Sequence, residues 1–280
     1  MKAGRKRKLN IAWILAVFMA AVWLVIAALP FFYMIMNSFK KQFEMLREGV
    51  FALPKSLNFS NYRNVLANGF FGYFLNSVLL TATALAVLLL ISACAAYPLG
   101  RMHFRLRGLI FAFIIACMSI PIHATLIPIF KMTTNIGMYD KLVGLVGPYA
   151  AFGTPMSVFI LTNFMKGIPD EIEEAAEIDG CSKYRTFYNI ILPLSKPGLS
   201  TLVIYNGVSF WNEYAFAKTL TQSTKAATLP LALQIFKGEH AMDIPMILTV
   251  LVLSALPMIV LFIIFQDKLV KGMIAGAVKG

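Results

Sequence analysis

Six carboxylates, Asp170, Glu171, Glu173, Glu174, Glu177 and Asp179, fall between Pro169 and Gly180 in a 280-residue chain of which only 14% is charged. Acids at that density either dock on a partner or merely form a solvated face. The flanking residues narrow the choice. Pro169 suits the first turn of a helix, and acids just after it complement the unpaired amides there. Gly180 is placed to end that helix, and Ser182 to cap a second one bearing Tyr184, Phe187, Tyr188 and Ile191. Ile172, Ala175, Ala176 and Asp179 share helical spacing, which predicts one small, mostly apolar face. Such a face beside Gly180 admits another backbone closely, the shape of a docking knob. Pro193 and Pro197 are expected to separate this pair of helices from the apolar stretch that begins near Leu199. Elsewhere Asn76, Ser77, Asn206, Asn212 and Glu213 stand within or beside apolar stretches. Amide and ionisable groups are costly in lipid unless they face protein or water. They therefore line a solute path or subunit seam, bond helix to helix, or, for Glu213, sit at headgroup level with Trp211 and Tyr214.

Other chemistry finds no residues to carry it. The chain has no G-x-x-x-x-G-K-[ST] loop, no G-x-S-x-G elbow and no H-E-x-x-H pair, so any nucleotide-driven work falls to another polypeptide. Cys94, Cys117 and Cys181 are too scattered for a disulfide framework, and the first two read as small buried hydrophobes.

The elements that position these residues are apolar. Hydrophobic residues make up 59% of the chain, with 23 Phe and 15 Met, so lipid is the solvent for much of the surface. Six spans are predicted: Ile11–Met36, Phe71–Tyr97, Leu109–Phe130, Leu142–Leu161, Leu199–Phe216 and Ile247–Phe265. Pro121 and Pro128 predict a bend or early end in the third, and Ala226–Phe236 is too short to cross. With the N-terminus inside, segments 1–10, 98–108, 164–198 and 267–280 carry 15 Lys/Arg, against 10 in 37–70, 131–141 and 214–244. The excess favours both termini on the cytoplasmic side of the cell membrane, although Lys40 and Lys41 run against it. It also accounts for the net charge of +12 without a nucleic-acid partner. The reading is an all-α polytopic transmembrane bundle of six helices. Residues 1–280 form a single transmembrane domain with a core of about 71–265, a first span at about 11–36 and an inner segment at about 164–198.

One stretch resembles a known family. Glu174-Ala175-Ala176, three residues, Gly180, nine residues, then Ile190-Ile191-Leu192-Pro193 resembles the cytoplasmic signature, or EAA motif, of membrane subunits of ABC-type importers. Ile178-Asp179-Gly180 resembles its sugar-uptake branch. Asn76-Ser77, Ala95-Ala96-Tyr97 before Arg101, Pro148-Tyr149 and Trp211-Asn212-Glu213 extend the likeness. The ending from Gln266 to Gly280 resembles the MalG-type subunit, the shorter membrane partner in maltose-like systems. The resemblance implies the type I ABC importer permease fold and an ATP-driven, binding-protein-dependent sugar importer. Glu174, Ala175, Ala176, Asp179, Gly180, Ile190, Leu192 and Pro193 would then couple to the ATPase, and Gly276, Val278, Lys279 and Gly280 would reach it from the tail. The implied partners are a longer membrane subunit, two ATPase copies and an extracytoplasmic sugar-binding protein. No cofactor is implied for this chain, and ATP and Mg belong to the ATPase. Two other classes compete. An ion-coupled secondary carrier needs interior acids, for which Glu213 alone offers itself, and a membrane enzyme needs a polar cluster that is not visible. An importer for a non-sugar solute such as glycerol phosphate uses the same scaffold.

Overall fold

A computed structural model describes residues 11–236 and 243–277, the stretch 265–277 as backbone, and among them every regular element is helical. In chain order these are α1 (Ile11–Ser38), α2 (Gln42–Glu48), α3 (Ser60–Ala67), α4 (Phe70–Arg101), α5 (Arg107–Ala116), α6 (Leu126–Asn135), α7 (Val143–Lys166), α8 (Asp170–Ile178), α9 (Lys183–Thr186), α10 (Leu192–Leu194), α11 (Lys196–Trp211), α12 (Ala215–Leu220), α13 (Leu229–Ile235) and α14 (Ile244–Ala277). Two compact units divide them, residues up to 68 with 236–253, and residues 69–235 with those from 254 on.

Among the described residues four helices, α1, α4, α7 and α14, are long and apolar enough to cross a membrane, or there are five spans if a bent pair counts as one. That pair is the third expected span, bent at Pro121 as its prolines indicate. Arg107–Ser119 and Ile122–Asn135 meet at 92°, and Pro121, which has no amide hydrogen to give, stands between them. The fifth expected span is corrected. α11 has 16 residues, short of the roughly 20 needed to cross alone, because the chain leaves the helix after Trp211. Ala226–Phe236 holds the seven-residue α13, too short to cross, as expected.

In the first unit α1 is exposed along nearly its whole length, and only Asn37 and Ser38 are buried. A bare apolar helix of this kind meets lipid. The chain after it folds on itself through amides. Asn61 Nδ2 donates to the carbonyls of Ser38 (2.9 Å) and Lys40 (2.8 Å), and Asn37 Nδ2 to that of Val50 (2.9 Å). Lys40, by sequence one of the outer basic residues, is fully buried, and its Nζ donates to the Gly49 carbonyl at 3.2 Å.

The core of the second unit is α4 against α7, with α11 laid on both. On α4, Ser77, Leu80, Ala84, Leu88, Ser92, Ala96 and Gly100 are buried at steps of three and four, a stripe of mostly small groups that lets backbones approach. A Cβ on Gly100 would meet the Thr162 carbonyl at 3.3 Å, while one on Gly153 would run into Leu88, so α4 and α7 run the same way. α11 returns against them, with Gly198 beside Phe164 and Asn206 beside Ser157. Arg107 closes the end of α4, its guanidinium donating to the carbonyls of Leu99 (2.8 Å), Gly100 (3.2 Å) and Met102 (3.4 Å). Charge on the last carbonyls of a helix is favourable. Cys94 corrects the expectation of a buried thiol. It is exposed, on the outward side of α4, and Cys117 and Cys181 are half-buried.

Gly153 is the tightest of these approaches. A Cβ there also falls 2.7 Å from Asn206 Oδ1 and 3.2 Å from Phe210 Cζ. Gly153→Val should therefore overpack the three-helix seam and cost about 1–3 kcal/mol, read as a lowered thermal midpoint of the detergent-purified chain. An unchanged midpoint would show that the seam yields.

Candidate functional site

The acidic segment leaves α7 at Gly167, and its first fastening is a cation from 70 residues upstream. The Arg101 side chain is 4% exposed. It donates from Nη1 to the Ile168 carbonyl (2.7 Å), from Nη2 to the Pro169 carbonyl (3.4 Å) and from Nε to Glu173 Oε2 (3.0 Å). Its Nη2 also pairs with Asp170 Oδ1 at 2.8 Å. Planar guanidinium donors suit such convergent acceptors. The end of α4 thus holds the start of α8.

The second fastening is apolar. Ile168, Phe187 and Ile191 are buried in one cluster with Ala93, Ala96 and Tyr97 of α4, Leu161 and Met165 of α7, and Leu202 of α11. Tyr97 and Phe187 rings lie 4.9 Å apart. The base of the segment is thus packed, while the acids Asp170, Glu171, Glu174, Glu177 and Asp179 stay exposed.

Between the fastenings the turn closes as its sequence indicates. Gly180 has φ +78, the left-handed conformation in which a Cβ is strained. The Gly180 amide donates to the Glu177 carbonyl (3.0 Å), and the Cys181 amide to that of Ala176 (2.9 Å), the paired closure of a Schellman turn. Ser182 Oγ then accepts from the Arg185 amide at 3.4 Å, capping the next helix as expected. Nothing lies within 4 Å of a Cβ built on Gly180, so the space above it is open. Glu174, Ala175, Ile178 and Asp179 are exposed around it, Ile178 to 87%. The single small face predicted for α8 divides in two. Ile172 and Ala176 turn inward, whereas Ala175 and Asp179 turn out.

Beyond the knob, the separation from α11 at Pro193 and Pro197 shrinks to one residue, Ser195. The chain stays helical from Lys183 to Trp211, with a π turn at Phe187–Ile191 and a single break at Ser195. The wider turn ends just before Leu192-Pro193, which opens a new helix where a missing amide hydrogen costs nothing. Ile190 and Leu192 are half-buried and Pro193 is exposed. Spacing gave Phe187 and Ile191 a shared face with Tyr184 and Tyr188, of which only the first two are buried, but it did not reveal Arg101, Glu173 or Ile168. For Arg101 the traces were a basic residue directly after an apolar run and its place after Ala95-Ala96-Tyr97 in the resemblance.

Three of the polar groups of the spans, Asn76, Ser77 and Asn206, bond distant segments of this chain. Asn76 Nδ2 donates to the carbonyls of Lys225 (2.8 Å) and Ala227 (2.9 Å), and Ser77 Oγ accepts from the Leu229 amide (2.8 Å). Asn206, buried, donates to Ser157 Oγ (3.0 Å) and to the Leu202 carbonyl (3.0 Å). Asn212 is exposed at the end of α11 and donates to the Val208 carbonyl. Glu213 accepts from the amides of Phe216 (2.8 Å) and Ala217 (3.1 Å), capping α12 with both oxygens. Among the described residues no group of three His, Cys, Asp or Glu is placed to hold a metal. The tail residues Val278, Lys279 and Gly280 lie outside the described residues, and Gly276 is described only as helical backbone.

Residues 89–275 match the family described as binding-protein-dependent transport system inner membrane component. ORF2 of Caldicellulosiruptor sp. strain Rt8B.4, provisionally assigned as an ABC transporter permease, is 48% identical over 260 residues, covering 93% of this chain and 94% of that one. The melibiose/raffinose/stachyose import permease of Bacillus subtilis strain 168 is 31% identical over 282 residues and covers 100% of both chains. In fold, a chain of a bacterial ABC transporter that imports the acidic polysaccharide alginate superposes with a TM-score of 0.81 at 22% identity, over 95% of this chain and 99% of that one.

Removing the guanidinium leaves Glu173 half-buried without its partner. Breaking a fully buried pair costs 3–5 kcal/mol, but Asp170 is 84% exposed, so Arg101→Leu should cost roughly 2–3 kcal/mol. Trypsin should then cut at Lys183 and Arg185 in the purified chain faster than in wild type. Equal cutting rates would mean that the apolar cluster alone holds the segment.

Proposed function

The chain belongs to the inner-membrane-component family of binding-protein-dependent transport systems, whose members are non-catalytic ABC importer permeases, and on that footing we propose how it works within a sugar importer. The segment from Glu174 to Gly180 docks in a separate ATPase subunit and transmits its movement to the spans. The observation that carries this reading is the exposed, Schellman-closed knob on a base tied to α4, α7 and α11. Its tip offers Glu174, Asp179, the bare Gly180 backbone and open space above, as a partner's cleft requires. The base follows the tip because Arg101 and the Phe187–Ile191 cluster leave it no slack.

The remaining assignments agree with the same reading. In this reading the subunit has the MalG-type role with both termini inside, which puts the knob in the cytoplasm. Partners are a longer membrane subunit, two ATPase copies using ATP and Mg, and an extracytoplasmic sugar-binding protein. The tail from Gly276 to Gly280 reaches toward the ATPase pair. Use of Glu213 as a helix cap speaks against ion coupling, since both its oxygens already accept amide hydrogens. The names of the relatives favour oligosaccharides as the solute class.

The test substitutes the tip and leaves the base alone. Gly180→Asp places a side chain where φ is +78 and adds a charge beside Asp179. It should leave the subunit inserted while lowering sugar-stimulated ATP hydrolysis and uptake together by about tenfold, equivalent to about 1.4 kcal/mol. Glu174→Ala removes one exposed charge and should cost about two- to threefold. Both rates are measured in the same vesicles with all partner proteins. Normal hydrolysis and uptake in Gly180→Asp would end the coupling assignment.

A further inference from the structure

At the opposite end of α7 from the knob lies a cavity of about 440 Å³ lined by Tyr139, Lys218, Gln222, Thr224 and Gln234, with Leu231 on its apolar side. α7 begins three residues after Asp140 and ends four before Asp170. Its 24 residues span about 36 Å. If the knob faces the ATPase, the cavity opens where solute arrives.

We infer that this cavity is a saccharide subsite, taking one sugar ring of the incoming solute; the inference rests on the sugar-importer reading above. The lining chemistry is that of polyhydroxyl recognition. Amides and hydroxyls donate and accept at once, as sugar hydroxyls do. Tyr139 adds a ring whose face suits the C–H side of a sugar, with a polar tip beside it. Among the described lining residues Lys218 is the one charged group, so a cage of like charges does not fit. Tyr139 OH and Gln222 Oε1 stand 3.5 Å apart, a long contact that a ligand hydroxyl would better satisfy.

The walls are set before any ligand comes. Asp140 sits at φ +56, left-handed for a residue other than glycine. Its Oδ1 accepts from the Gln222 amide (2.8 Å), the Ser223 amide (2.8 Å) and Ser223 Oγ (3.1 Å), and its own amide donates to the Leu220 carbonyl (2.9 Å). Those amides hold the carboxyl below the usual carboxylate range. The Tyr139 ring is braced edge-on against Phe130 at 5.3 Å, and Gln234 bonds the Tyr214 hydroxyl. Side chains on so fixed a frame lose little freedom when a ligand binds.

The experiment uses the complete importer in vesicles, with maltotriose, raffinose, arabinotriose and a uronic acid trisaccharide as probes. Gln222→Ala with Thr224→Ala leaves the backbone lock on Asp140 intact. For whichever probe wild type takes up, the pair should raise the uptake KM about five- to tenfold, the weight of one or two lost hydrogen bonds. Basal ATP hydrolysis and the half-saturating binding-protein concentration should not move. Tyr139→Ala should act in the same sense and Tyr139→Phe less. An unchanged KM in both the pair and Tyr139→Ala overturns the subsite while leaving the importer reading standing. A raised half-saturating binding-protein concentration with unchanged sugar KM also overturns it, because the cavity then receives a protein side chain. Wild-type uptake of none of the probes would overturn the sugar reading itself, and the subsite with it.

Discussion

The guanidinium of Arg101 is nearly out of water at the end of a long apolar helix, and a cation in that position is tolerable only if acceptors converge on it. Two backbone carbonyls and two carboxylates do so, and all four come from the first residues of the acidic segment. The arrangement fixes where α8 starts, and through the Schellman turn it fixes where Gly180 points. The apolar cluster around Phe187 and Ile191 then sets the other side. Without the ion group the same sequence would still make a helix, a turn and a helix, but nothing would hold that unit at one angle to α4.

Much of this was legible in the sequence, and what was legible was local. A proline, acids, a glycine and a serine within fifteen positions determine a helix start, a left-handed stop and a cap, because each acts through bonds to backbone a few residues away. Arg101 was not legible, since its acceptors lie some 70 positions downstream and a basic residue after an apolar run has a sufficient reason in membrane topology. The prolines misled for a related reason. Pro193 ought to end a helix, yet a π turn ahead of it lets the chain stay helical. The fifth apolar stretch looked like a span by composition, but the carboxylate of Glu213 starts a new helix and leaves α11 at 16 residues.

The polar residues of the spans form a second lesson in economy. Asn76, Ser77 and Asn206 were weighed as path-lining groups, and within this chain each bonds another segment of the same chain. In hydrocarbon the alternative to such a bond is an unsatisfied amide, so these residues select one packing among many equally apolar ones. Leu and Ala stripes fit together in several registers. An amide aimed at one carbonyl fits in one.

α4 is 32 residues long, about 48 Å at 1.5 Å per residue. Near its start Asn76 and Ser77 grip the 225–229 stretch, and its last residue grips the acidic segment. Both grips have a direction as well as a position. One residue added between them would turn one grip about 100° from the other, so that only one could close, whereas a four-residue insertion would nearly restore the phase. The stretch between the grips is thus under a constraint of count, independent of which apolar residues fill it. Substitutions on its exposed side are absorbed by lipid, but a single deletion puts the two grips out of step.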